Sequence, residues 1–512
     1  MNAARTCGIA LLALVAALYV RHLAYAPIYL AHDEIKFALQ ARSIAQSGRD
    51  LSGAFMPLYF AEPEFPAGRD PVSIYATALV LRVLPLSERA IRLPTALVGL
   101  LDVVLMFLLA RRIFKNEWLG LIAAGLLAFT PAHFIHARMG YDVLYPLPFL
   151  LAWLLCLITF IENNRPRTLL AGTMFLGLGV YSYLACVVMM PLYFLMTCLT
   201  IRPTKTVRPY LVAAIGFGAP LLLMVVWQIL HPNRFGDVIG AYAPFDSTAG
   251  NAPGAGRDVF GAVYLAVSDR AGAYWNFFNP SFLFLTGDSS LINSTREVGV
   301  FLLPIAVLIP LGMYQMAVVR PSRFNVMLLC GLASAPVAAV LMAAVEIRRA
   351  LLLLPFAILV ATFGVERLMT ARSRAWRALA VALLLVVPLQ FRDFFVDYYG
   401  QHRVRSATWF GGNVRGALLD VIDASPPAVY LSTGIPYVDA YWSFYTLAQG
   451  REDLLARTVY DEPHRLGERP APAGALLVSS VGQEPVNAGD WQRVRVITEP
   501  NGTPSFAVYR RR

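Results

Sequence analysis

His32-Asp33-Glu34 directly follows an apolar run that starts at Cys7. Adjacent carboxylates beside lipid are costly unless solvated, paired or used. One of them can serve as general base on an acceptor hydroxyl, while its neighbour makes a second contact or helps bind a metal. The plainer reading is a solvated helix start, where Asp and Glu complement the helix dipole. A second group is His136-Ala137-Arg138-Met139-Gly140-Tyr141-Asp142. Arg138 and Asp142 stand at i and i+4 and can pair along a helical turn. Functionally, Arg138 would hold a phosphate and Asp142 would orient substrate; loop capping by an ordinary ion pair is the other reading. His133 and His136 lie one turn apart, but no carboxylate sits at ligand spacing, so no metal site is assigned.

A third group is Glu346-Ile347-Arg348-Arg349. A guanidinium matches phosphate oxygens bidentately, so this Arg pair reads as a site for a lipid phosphate; neutralisation of one Arg by Glu346 is the alternative. The fourth is Tyr274-Trp275-Asn276-Phe277-Phe278-Asn279-Pro280, followed by Leu283 to Asp288. Such aromatics stack on sugars or anchor at a membrane interface, and the interface reading covers most of them.

The elements that must position these residues are apolar. Of 512 residues, 57% are hydrophobic and 15% charged, well outside the range of soluble globular chains. The net charge of +11 comes from Lys and Arg gathered in alternate loops, as in membrane proteins. No basic stretch interleaved with aromatics points to nucleic acid. The five cysteines lie within apolar runs, without a C-x-x-C pair, and read as apolar fillers.

Runs near the ~20 residues needed to cross a bilayer fall at 7–25, 95–113, 117–135, 143–161, 168–185, 186–201, 209–230, 297–319, 324–345, 350–368 and 376–392. Eleven spans are therefore expected. The first resembles a signal peptide, with Arg5 before it and Ala24-Tyr25-Ala26 after it. A retained helix is expected instead, because Asp33 follows so closely. Arg111, Arg112 and Lys115, then Arg165 and Arg167, then Arg202, Lys205 and Arg208, then Arg320 and Arg323, and finally Arg367 to Arg377 mark one side. By the positive-inside rule that side is cytoplasmic, with the N-terminus inside and the C-terminus outside.

The outer side then holds three pieces. Residues 26–94 carry amphipathic helices, at Asp33 to Gly48 and Pro71 to Leu84. Residues 231–296 are rich in Gly, Pro and Asn, with a glycine-rich patch at 247–256. Residues 393–512 are far more polar. In this tail Ala428–Thr433, Ala475–Val481, Arg493–Thr498 and Ser505–Tyr509 read as strands, and Pro436 to Gln449 as a helix. The expected fold is a polytopic α-helical membrane protein, with a transmembrane part at 1–392 and a small extracytoplasmic α/β domain at 393–512.

As an ordered set these features resemble the C-type superfamily of membrane glycosyltransferases, in the branch of the protein O-mannosyltransferases and the lipid A aminoarabinose transferase. The set runs from the first span and Asp33-Glu34 to Glu88-Arg89-Ala90-Ile91-Arg92-Leu93-Pro94. It continues through Ala110-Arg111-Arg112-Ile113-Phe114, Pro131-Ala132-His133, Arg138-x-x-x-Asp142, Phe284-Leu285-Thr286-Gly287-Asp288 and Arg349 to Pro355, over residues 1–390. The resemblance implies inverting transfer from a polyprenyl-phosphate sugar to a lipid, glycan or protein acceptor, such as a lipopolysaccharide, at the outer face of the inner membrane. It implies Asp33 as base with Glu34 supporting it, Arg138 and Asp142 completing the site, and Arg348 or Arg349 on the carrier phosphate. No cofactor is expected, although His133 and His136 depart from the pattern and leave a divalent metal open. A flippase or transporter of lipid-linked saccharides is the competing class. It would place its charges near the bilayer midplane, whereas here they cluster at one face. A non-catalytic scaffold, indifferent to Asp33, is the third.

Overall fold

The computed structural model describes residues 3–62, 65–201, 206–231, 259–342 and 345–512. The patch 247–256, the loop up to residue 258, and Arg202 and Lys205 lie outside the described residues. Six described helices are long and apolar enough to cross a bilayer: Ala3–Val20, Glu88–Phe114, Asp142–Asn163, Arg208–Leu230, Arg323–Leu341 and Arg374–Tyr399. Four shorter apolar helices accompany them, including Glu117–Ala128 and Cys186–Thr200. The expected pair 168–201 is one helix at Pro166–Gly179 and another at Cys186–Thr200.

Sequence composition decides where each helix sits. Leu353–Met369 is buried along nearly its whole length. Arg208–Leu230 instead exposes Leu222, Leu223, Ile229 and Leu230, as a helix facing lipid does. Leu303–Tyr314 crosses Leu353–Met369 where Gly312 faces the Val360 carbonyl and Gly364 faces that of Leu308. A Cβ at either glycine would overlap the opposite backbone, so small residues permit the close crossing.

The first loop folds as expected into two helices, His32–Ser47 and Pro71–Leu81. A short antiparallel pair, Phe60–Glu62 with Phe65–Arg69, lies between them. The helix His32–Ser47 begins with Asp33 and Glu34 in its first turn, suiting the dipole. It ends at Gly48, whose φ of 70° suits the left-handed C-cap.

In the tail, five strands form one sheet in the order Thr458–Asp461, Val429–Ser432, Leu476–Ser480, Pro504–Arg511, Trp491–Thr498. The first three are parallel and the last two antiparallel. Helices Val414–Ala424 and Val438–Ala448 cover one face. They do not close a core of their own. Val414, Leu418, Tyr441 and Trp442 share one apolar cluster with Leu30, Ile35 and Leu39 of the first loop. Polar ties reinforce the contact: Tyr441 Oη donates to the Leu30 carbonyl at 2.8 Å, Tyr29 Oη to Glu499 at 3.0 Å, and Arg415 lies 3.1 Å from Glu88. The tail is thus seated on the loop that carries Asp33.

Candidate active site

Asp33 sits on the first turn of His32–Ser47, with a side chain 18% exposed. Arg69, at the end of its strand, places Nη2 3.0 Å from Asp33 Oδ1 and donates through Nε to Glu62 at 3.1 Å. Asp33 Oδ1 has this ion pair but accepts no aligned hydrogen bond. Oδ1 is itself shielded from solvent, and the exposed part of the side chain is what a substrate can reach.

Glu34, expected to support Asp33, has a different environment. It is fully buried and grips Arg92 through Oε1 at 2.7 Å and Oε2 at 3.0 Å. It also accepts from the backbone N–H of Gly140 at 2.7 Å and of Ala31 at 2.9 Å. Arg92 spends its remaining donors on the carbonyls of Leu23, Pro27 and Tyr29. Every strong acceptor site of Glu34 is used, so it fixes the backbone leading into Asp33 and ties it to the loop at Gly140.

Arg138 is occupied likewise. Its guanidinium is buried and donates to the carbonyls of Leu18, Tyr19, His22 and Ala26. It does not pair with Asp142, because the helix Pro131–His136 ends first and Tyr141 is extended before a 3-10 turn begins at Asp142. Arg138 caps the unsatisfied carbonyls at the end of the first helix and has no donor left for a phosphate. His133 is engaged by Tyr19 at 2.8 Å and Asp102 at 3.2 Å, and His136 by the Ala132 carbonyl at 2.7 Å. Among the described residues no trio of His, Cys, Asp or Glu is grouped to hold a metal ion.

The Arg pair splits. Arg348 lines a cavity of about 210 Å³ together with Asp33, His32 and Tyr141. Arg349 turns away, toward Met342 Sδ at 3.0 Å. Both reach Glu346 Oε2, at 2.7 and 3.2 Å. Burial pushes the Glu346 carboxyl up, but the two guanidinium groups outweigh it and hold the group below its ordinary value. The turn bearing Arg348 is fixed from behind, where the Ile347 N–H donates to Asp288 Oδ2 at 2.7 Å. Gly287, at φ 69°, lets the chain turn where a side chain would meet Ser294. This gives the Phe284-to-Asp288 motif its physical role.

Asp142 belongs to the same electrostatic group. Arg69 feels the charges of Asp33, Glu62 and Asp142, and Tyr141 those of Arg348, Asp33 and Asp142. Asp70 was not anticipated from the sequence. Burial, and then the neighbouring Asp142 carboxylate, push it well above the usual carboxylate range. Arg69-Asp70 before Pro71 was the available signal: a charged pair at the start of an apolar helix. The tail supplies the remaining wall through Trp409, Phe410, Tyr437 and Tyr441. The aromatic run 274–280 does not reach this cavity. Tyr274, Trp275 and Phe278 instead border an apolar groove of about 300 Å³ with Phe284, Phe301 and Met313.

Residues 66–227 match the family model for dolichyl-phosphate-mannose-protein mannosyltransferase. Among curated protein sequences none matches the chain. The apo crystal structure of ArnT from Cupriavidus metallidurans is similar in fold, with a TM-score of 0.62 at 15% identity, over 99% of this chain and 98% of that one. The structure of the same protein bound to undecaprenyl phosphate gives 0.54 at 14% identity, over 98% and 97%. At such identities the likeness is one of fold. Asp70, Arg92, Arg138 and Asp142 lie within the stretch matched by sequence. Residues 66–227 thus resemble the protein mannosyltransferase family by sequence, and the chain resembles ArnT in fold almost end to end.

Proposed function

We propose that this protein is an inverting glycosyltransferase of the inner membrane, taking a sugar from a polyprenyl-phosphate donor at the extracytoplasmic face. The observation that carries this reading is that Asp33 and Arg348 face one cavity. Asp33 takes the proton of the acceptor hydroxyl. The hydroxyl oxygen attacks the anomeric carbon, the bond to the phosphate oxygen breaks, and the carrier phosphate leaves with the electron pair. Arg348 meets the charge that develops on that phosphate. Arg69 orients Asp33, and Asp142 orders the substrate beside it. The groove bordered by Tyr274, Phe284 and Met313 is the proposed seat of the isoprenoid chain, since its loop also buttresses Arg348. The undecaprenyl phosphate held by the ArnT of similar fold supports this choice of carrier. In this proposal residues 1–392 hold the donor, and the tail 393–512 closes the site from outside.

Asp33→Asn tests the reading with a polyprenyl-phosphate sugar in vitro. Turnover should fall by roughly two to four orders of magnitude while the donor still binds. Turnover at the wild-type rate would remove Asp33 from the chemistry.

A further inference from the structure

Among the described tryptophans, Trp409 differs by its place, since it alone lines the cavity that holds Asp33. Trp153 and Trp442 are fully buried, with their indole N–H groups given to Thr197 at 2.9 Å and Thr458 at 2.8 Å. Trp491 is buried and donates to the Gly467 carbonyl. Trp409 lines the cavity that holds Asp33, yet is 47% exposed. Among the described residues no ring stacks on it and its N–H has no partner. An exposed indole is ordinary at a lipid boundary, but Trp409 sits on the polar tail beside a carboxylate and a guanidinium.

A second aromatic is held rigidly beside it. Tyr437 stacks on His32 with ring centroids 4.6 Å apart and 12° between planes, and Lys36 lies 4.4 Å from its ring centre. Its φ of 57° is a left-handed conformation that a tyrosine adopts only when its surroundings impose it. Strain of this kind gathers at ligand sites. Tyr437 also lines the cavity. Trp409 and Tyr437 both come from the tail, and His32 directly precedes Asp33. The tail therefore lines the space in front of the base with aromatic side chains, and Trp409 is the one whose ring no other side chain covers.

We infer that the acceptor is a saccharide, and that the tail selects it by laying one of its rings against Trp409 while a hydroxyl reaches Asp33. The inference rests on the glycosyl-transfer reading and names the acceptor class for that site. Pyranose rings pair an apolar C–H face with a rim of hydroxyls. This cavity pairs aromatic faces with Asp33 and Arg348 in the same way. Its volume of about 210 Å³ is below the ~300 Å³ at which drug-sized pockets begin, which suits a single ring. A peptide hydroxyl would be reached by a narrow side chain and would leave the indole face unused.

The test uses the full-length protein in lipid nanodiscs. Methyl glucoside, methyl mannoside and methyl galactoside are titrated by saturation-transfer NMR, alongside a serine- and threonine-containing peptide. At least one pyranoside should receive saturation. Trp409→Ala should weaken its binding by about tenfold, the loss of one aromatic contact, and Trp409→Phe by less. Trp376→Ala, an exposed tryptophan on another helix, should leave binding unchanged, and a thermal melt confirms that each variant is folded. Equal binding by wild type and Trp409→Ala, or binding of the peptide alone, overturns the inference. Consumption of a polyprenyl-phosphate sugar by the wild type is measured separately. Donor turnover without pyranoside binding overturns the acceptor class and leaves the transferase reading standing. Pyranoside binding through Trp409 without donor turnover does the reverse.

Discussion

Two clusters of charge lie side by side in this molecule, and residues adjacent in sequence fall into different ones. Glu34, Arg92 and Arg138 have donors and acceptors that are all consumed, Glu34 by Arg92 and backbone N–H groups and the two arginines by Glu34 or backbone carbonyls; together they form a clamp. Asp33 and Arg348 line a cavity, Arg69 pairs with Asp33, and Asp33 Oδ1 accepts no hydrogen bond. The residue types are the same, so type does not separate scaffold from chemistry. Hydrogen-bond saturation does. A buried charge in lipid surroundings is tolerated when fully paired, and an incompletely paired charge that lines a cavity leaves room for a ligand contact.

The clamp should show the largest effect of any single substitution, and it should show it in folding. Arg92→Met leaves Glu34 buried and unpaired, which costs about 3–5 kcal/mol. A thermal melt in detergent should fall steeply, and the double variant Glu34→Gln with Arg92→Met should recover part of the loss. No change in melting would mean that the clamp is not what orders the first loop. Asp33→Asn makes the opposite trade, with a turnover loss of roughly two to four orders of magnitude and little change in melting. If Glu34→Gln instead abolished turnover at unchanged stability, the separation drawn between the two clusters would collapse.

The two arginines at 348 and 349 repeat the comparison on a smaller scale. Arg348→Ala should raise the KM for donor by about ten- to a hundredfold, since a charge-assisted hydrogen bond is worth ~1.5–3 kcal/mol. Arg349→Ala should change it by less than about fivefold, the scale of an exposed ion pair. Equal effects would mean that both guanidinium groups meet the phosphate.

Much of this was legible in the sequence, and what was not has definite causes. Apolar runs marked the helices, and Asp33 at a first helical turn was readable from spacing alone. In the tail, alternating apolar residues marked four strands. The fifth, Thr458–Asp461, was missed because four residues with an exposed Tyr460 carry too little pattern. Arg138 misled because its spacing to Asp142 is local, while its true partners are carbonyls more than a hundred residues earlier. Trp409 and Tyr437 were invisible as site residues. What brings them to Asp33 is the packing of Val414 and Tyr441 on Leu30 and Ile35, which no local period encodes.

Asp70 lies beside Arg69 and Asp142 and gives the smallest effect. It is buried beside Asp142, and its carboxyl is pushed well above the ordinary range by burial first and by that neighbour second, with Arg69 pulling the other way. A carboxyl whose pKa is raised by folding keeps its proton in the native state while the unfolded chain has already lost it. Its contribution to stability is therefore full below the unfolded value of about 4 and declines as pH rises toward the folded value. Asparagine has no such proton to lose. Asp70→Asn should match the wild type in a melt at pH 4 and exceed it slightly at pH 8. If the variant is instead less stable at pH 8, Asp70 is an ionised partner of Arg69, and it joins Asp33 as a second carboxylate serving the cavity.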